Sequence, residues 1–165
     1  VIIMPGSKWA IFSIMYLSLK DGGNVVIPTP HWTAYELTAK SLGAETRFLK
    51  TDFDLNWKIN LEKLESLIDK KTRLIILNNP NNPTSKVIDE KTLDGIIQIA
   101  NDKGIEILAD EVYSDISFVE TKSILDYGGD HMLVKSFSKT FAMTGWRLGY
   151  IVVKKGLAEK MMKLN

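Results

Sequence analysis

The sequence predicts an α/β domain built on a mostly parallel sheet. Three observations carry that prediction. Short apolar runs alternate with helix-period patterns along the chain. Two of the runs, residues 73–77 and 105–109, are nearly continuous in apolar residues, as expected for strands covered on both faces. The connections between elements are short, which suits strands joined by helical crossovers. No internal repeat, low-complexity tract or linker interrupts the pattern, so residues 1–165 read as one domain.

Each element has a local reason. Pro5-Gly6-Ser7-Lys8 precedes a helix over 9–19, in which Ile11, Ile14, Met15 and Leu19 recur at helical spacing. Ser7 stands where it could cap that helix, and a helix N-terminus there could hold a phosphate. Gly22-Gly23 ends the helix, and an apolar strand covers 24–28. Thr29-Pro30-His31 leads to a helix over 32–42, which Gly43 stops. A strand over 45–49 and a polar loop over 52–57 follow. Asn60 then caps a helix carrying Leu61, Leu64, Leu67 and Ile68.

The strand over 73–77 runs into Asn78-Asn79-Pro80-Asn81-Asn82-Pro83-Thr84-Ser85. A loop so dense in Asn and Pro is either a tight turn or a site, and its X-Pro bonds are open to the cis form. Asp89 caps a helix over 90–103, with Leu93, Ile96, Ile97 and Ala100 inward, and Gly104 stops it. The strand over 105–109 ends at Asp110-Glu111-Val112-Tyr113, and 123–129 is loop or a short helical turn. A strand over 132–136 delivers a loop with two serines and Lys139. A last strand covers 150–153, and a helix begins at Leu157.

Composition excludes several function classes. An apolar fraction of 45% with 25% charged residues is that of an ordinary globular domain. A net charge of +1 offers no nucleic-acid footprint. The absence of cysteine removes disulfides, thiolate metal sites and thiol nucleophiles. The two histidines, His31 and His131, supply a zinc site poorly and read as structural. No apolar run approaches the roughly 20 residues that cross a bilayer, and residues 1–6 do not form a signal peptide. The expected compartment is the cytoplasm. Both ends fall inside patterned stretches, so a piece of a longer protein is expected.

In a parallel sheet, ligands bind beyond the carboxyl ends of the strands. Here those ends lead to Trp32, Asn82, Asp110 and Tyr113, then Ser136 and Lys139. Arg147 follows Lys139 by eight residues. A lysine that can form a Schiff base, near hydroxyls and a guanidinium, suits a phosphorylated aldehyde such as pyridoxal phosphate. Asp110 would face a pyridine nitrogen and favour the protonated ring. Asn82 and Tyr113 could hydrogen-bond the ring oxygen, and Trp32 could stack on the ring. Arg147, Ser136 and the Ser7-Lys8 turn would hold the phosphate, with Ser138 a further candidate. Taken singly, each residue has a plainer reading. Lys139 could be a solvated charge, Asp110 a turn cap, and Arg147 a surface ion pair. Tyr113 and Trp32 could be packing residues, and Trp9, Trp57 and Trp146 are assigned to packing.

The set Asn82-Pro83-Thr84, Asp110-Glu111-Val112-Tyr113, Ser136-Phe137-Ser138-Lys139 and Thr144-Gly145-Trp146-Arg147-Leu148-Gly149-Tyr150 resembles class I/II aminotransferases. These are pyridoxal-phosphate enzymes of fold type I, and the likeness runs along nearly the whole chain. The resemblance implies that Lys139 carries the Schiff base and that Asp110 contacts the ring nitrogen. It assigns Tyr113 and Asn82 to the ring oxygen. Ser136, Arg147 and the Ser7-Lys8 turn take the phosphate. Trp32 stacks on the ring, and Trp32 and Asn82 also face substrate. It implies a seven-stranded sheet with one antiparallel strand, residues 150–153. The expected substrates are an amino acid and a 2-oxo acid, and the expected assembly is a homodimer of the full-length protein. Ser85 stands where the family has glycine. A small domain, and with it the arginine for the substrate carboxylate, has no counterpart here, so the isolated chain is expected to be inactive. A carbon–sulfur β-lyase on the same cofactor, or a non-catalytic domain of a regulator, remains an alternative.

Overall fold

Seven strands form one sheet in the order β1-β7-β6-β5-β4-β2-β3 in a computed structural model that describes residues 1–164. Asn165, the last residue of the expected domain, lies outside the described residues. The strands are β1 (Ile2–Met4), β2 (Asn24–Thr29), β3 (Glu45–Lys50), β4 (Thr72–Asn78), β5 (Glu106–Asp110), β6 (Met132–Ser136) and β7 (Gly149–Val152). The helices are α1 (Ser7–Leu19), α2 (Ala34–Ser41), α3 (Leu61–Ser66), α4 (Glu90–Lys103), α5 (Phe137–Thr140) and α6 (Lys155–Met162). Six of the strands were expected from the sequence, with ends displaced by at most one residue, within the usual uncertainty of element boundaries. The unexpected one is β1, three residues long.

Alternation along the strands splits the core into two layers. Leu74 and Ile76 face α1 and α2, packing with Ile14, Met15, Tyr35 and Ala39. Ile75 and Leu77 face the other way, against Leu64 of α3 and Leu93, Ile96 and Ala100 of α4. Both faces of β4 are therefore covered, which explains its apolar run. α4 is capped as its sequence indicates: Asp89 accepts from Thr92 N at 2.9 Å. Gly104 closes it with a left-handed φ of 66°. Asn60 likewise accepts from Lys63 N, at 2.8 Å, to start α3.

Strand direction decides what reaches the carboxyl edge. β2 through β6 pair in parallel. β7 alone is antiparallel to its neighbours, as expected, and pairs Gly149 with Ser136 at the end of β6. An antiparallel strand starts where its neighbours end, so Arg147, just before β7, arrives at that edge. β1 pairs Met4 with the same Gly149, which brings Ser7 and Lys8 to it as well. The chain order also reverses here. β3 lies outside β2 on one side, while β4, β5 and β6 step away on the other, which opens a crevice above β2 and β4.

Candidate active site

One cavity of about 330 Å³ opens at this edge, within the range of small-ligand sites. Ser7, Lys8, Trp32, Asn82, Asp110, Tyr113, Ser136, Lys139 and Arg147 all line it. These are the residues singled out in the sequence, and they come from the ends of six strands. Ser138 lines it too. Residues the sequence reading passed over complete the wall, chiefly Tyr35 and Asn78.

Asp110 forms the floor. It is the last residue of β5 and is 3% exposed. Burial pushes its carboxyl up to about 6, against hydrogen bonds from Tyr35 and Val112 N that favour the charged form. The Tyr35 hydroxyl donates to Oδ2 at 2.5 Å, and Val112 N donates to Oδ1 at 3.3 Å. Tyr35 is itself 1% exposed, and burial followed by the Asp110 charge keeps its phenol protonated. The pair is therefore a neutral donor on an anionic acceptor. The only signal in the sequence was position: Tyr35 follows Trp32 by three residues, the same side of a helical turn.

Asn78 sets the loop that follows β4. Its amide donates to Asp110 O at 2.9 Å, while its carbonyl oxygen accepts from Asn82 N at 2.6 Å. One side chain thus fixes Asn82 against the end of the neighbouring strand. The Asn79–Pro80 and Asn82–Pro83 bonds are both cis. Ser85 adopts a left-handed φ of 58°, the conformation that the expected glycine would take without cost.

Lys139 lines the same cavity as Asp110. Ser136 caps its short helix by accepting from Ser138 N at 3.2 Å. The Lys139 amine lies 5.9 Å from the centre of the Tyr113 ring. Trp32 meets Tyr35 edge-on, with centroids 5.4 Å apart.

The third side brings a guanidinium to a helix N-terminus. No side chain caps α1. Ser7 is the first residue of α1 rather than its cap, which corrects the sequence expectation. The cap position belongs to Gly6, at φ 84°. A Cβ there would lie 2.5 Å from Arg147 Nη2, so the guanidinium occupies the space that a capping side chain would need. Arg147 is exposed and donates to Thr144 O at 3.0 Å. Its guanidinium lies beside the start of a helix whose first N–H groups no side chain satisfies. Among the described residues no carboxylate pairs with it, so the reading of Arg147 as a surface ion pair fails.

A phosphorylated pyridine aldehyde fits this donor set. The buried acid would suit a basic ring nitrogen, the exposed amine an aldehyde, and the guanidinium with the helix N-terminus a phosphate. Other expectations divide. His31 is structural, stacking on Phe48 with centroids 5.6 Å apart. Trp57 packs edge-on against Phe53. Trp146 is 75% exposed, so its assignment to packing within this domain does not hold; it lies in the turn just before Arg147.

The family model described as aminotransferase class I and II matches residues 1–165. An aspartate aminotransferase of Sulfolobus acidocaldarius is 38% identical over 99% of this chain and 42% of its own length. The solved aspartate aminotransferase of Thermotoga maritima superposes with a TM-score of 0.94 at 30% identity, over 99% of this chain and 44% of that one. The aromatic aminotransferase of Pyrococcus horikoshii gives 0.93 at 32%, over 99% and 45%. The chain thus spans less than half the length of the relatives it resembles. From its first residue to its last, it belongs to the aminotransferase class I and II family.

Proposed function

We propose that residues 1–165 form the single cofactor-binding domain of a pyridoxal-phosphate-dependent aminotransferase, which exchanges an amino acid for a 2-oxo acid. The observation that carries this reading is the convergence of Lys139, Asp110, Tyr113 and Arg147 on one cavity. When bound, the cofactor supplies an aldehyde that takes up amines and a ring that accepts electrons. Lys139 Nζ would attach it and would supply the base that moves the proton at the reacting carbon. Asp110 holds the ring nitrogen in its protonated form. Tyr113 and Asn82 hydrogen-bond the ring oxygen. Trp32 covers the ring face and excludes water, and Trp32 with Asn82 borders the substrate. Ser7, Lys8, Ser136 and Arg147 bind the phosphate.

The whole protein is proposed to work as a homodimer in the cytoplasm, with the substrate carboxylate bound by residues outside this chain. Exposed Phe118, Phe141 and Trp146 on this domain support a covered surface in the larger assembly. Absorbance spectra test the cofactor reading. Pyridoxal phosphate added to the protein should give a new band near the visible edge, and Lys139→Ala should abolish it. A mutant band equal to that of wild type would refute the assignment.

A further inference from the structure

Lys139 sits on a helix too short to hold itself. α5 has four residues. One turn carries the cost of nucleation with little gain from propagation, so outside contacts decide where it lies. Its start is fixed by the Ser136 cap and by Phe137 N, which donates to Leu148 O at 3.1 Å. Its last residue, Thr140, is fixed from another loop: Thr140 Oγ1 donates to Asp115 Oδ2 at 3.0 Å. The second carboxylate oxygen, Asp115 Oδ1, accepts from Lys135 Nζ at 2.7 Å. Lys135 also donates to Ser114 Oγ.

Lys135 belongs to β6, four residues before Lys139, while Ser114 and Asp115 follow Tyr113 directly. One carboxylate therefore joins the loop leaving β5 to both ends of the segment that carries Lys139. We propose that Asp115 is a positioning residue, which fixes the separation between the Tyr113 phenol and the Lys139 amine. This inference rests on the reading of Lys139 as the cofactor-bearing residue.

Two observations separate this role from plain stabilisation. Neither Asp115, Lys135 nor Thr140 lines the cavity, so each acts through its neighbours. The Asp115 side chain is 46% exposed, and an ion pair so open to water adds little to folding. Its contacts are nonetheless specific, because the Lys135 side chain is 13% exposed and its ammonium donates to Oδ1 at 2.7 Å while Thr140 donates to Oδ2 at 3.0 Å. Misplacing a reacting group by about 1 Å can slow a reaction on the order of 100-fold. A contact of small energetic weight can therefore have a large kinetic effect.

The test uses the full-length protein and follows the visible band formed with pyridoxal phosphate, by its rate and its pH midpoint. Asp115→Ala and Thr140→Val should slow the band about tenfold or more and displace the midpoint. Thr140→Ser, which keeps the hydroxyl, should match wild type. Thermal midpoints of all three should stay within about 5 °C of wild type, as for a weak surface contact. Asp115→Ala and Thr140→Val at the wild-type rate and midpoint would overturn the inference. So would equal defects in Thr140→Ser and Thr140→Val. A wild type that gives no band, or a Lys139→Ala that keeps one, would instead overturn the reading of Lys139. Should Asp115→Ala not fold, the two Thr140 variants decide alone.

Discussion

The Tyr35 hydroxyl donates a 2.5 Å hydrogen bond to Asp110 Oδ2, between two side chains that are nearly sealed from water. The bond stabilises a carboxylate that burial disfavours. It joins the start of α2 to the end of β5, across the crevice where the strand order reverses. Hydrogen bonds to buried charges contribute about 1.5–3 kcal/mol. Tyr35→Phe should therefore lower the stability of the cofactor-free protein by about 2 kcal/mol at pH 8, and by less at pH 5, where Asp110 is protonated. Urea unfolding at both pH values checks this; equal losses would contradict it.

Asp110 makes a pH prediction of its own. Its folded value of about 6 lies above the ordinary 3.8. A raised acid binds its proton more tightly when folded, so its contribution is fully present below about pH 4 and is lost as the pH rises through 6. The two values differ by about 2 units, or about 3 kcal/mol. Without cofactor, Asp110→Asn should gain on wild type by up to that amount between pH 4 and 8. A cation facing the carboxylate reverses the sign, so the same variant should bind pyridoxal phosphate more weakly. A flat difference in stability across that range would show that Asp110 does not titrate as argued.

Arg147 separates phosphate recognition from ring recognition. Loss of a charge-assisted contact worth about 1.5–3 kcal/mol weakens binding by about 10- to 100-fold. Arg147→Ala should cost that much for pyridoxal phosphate and little for pyridoxal, by titration calorimetry. Equal losses for the two ligands would place the guanidinium elsewhere.

Ser85 holds a left-handed backbone at φ 58°. That conformation costs a residue with a Cβ about 1 kcal/mol, and glycine escapes the cost. Ser85→Gly should stabilise the protein by up to about that amount in chemical unfolding, less the entropy glycine adds to the unfolded chain. A clear loss would mean that the serine side chain holds the loop.

Much of this architecture was legible because it is local. The caps at Asn60 and Asp89 and the stop at Gly104 depend on neighbours three to five residues away, and all are found as expected. The buried strands announced themselves by composition. The strand ends then brought Lys139, Asp110, Tyr113 and Arg147 together, because a parallel sheet has one carboxyl edge. What escaped was long-range. β1 is too short to show a period. The cap position of α1 belongs to Gly6, whose missing Cβ leaves room for a guanidinium 141 residues further on. Beyond its spacing from Trp32, nothing near Tyr35 in the sequence marks it, because its partner Asp110 is 75 residues away. The Asp115 bridge joins the segment after β5 to β6 and α5, and no pattern within any of them announces it.

Chemical trapping tests the central claim most directly. The protein is incubated with pyridoxal phosphate, reduced with borohydride, digested and mapped by mass spectrometry. The account predicts a stoichiometric label on the peptide containing Lys139, with no stoichiometric label in Lys139→Ala. A label confined to another lysine, or spread thinly over the exposed ones, would contradict it.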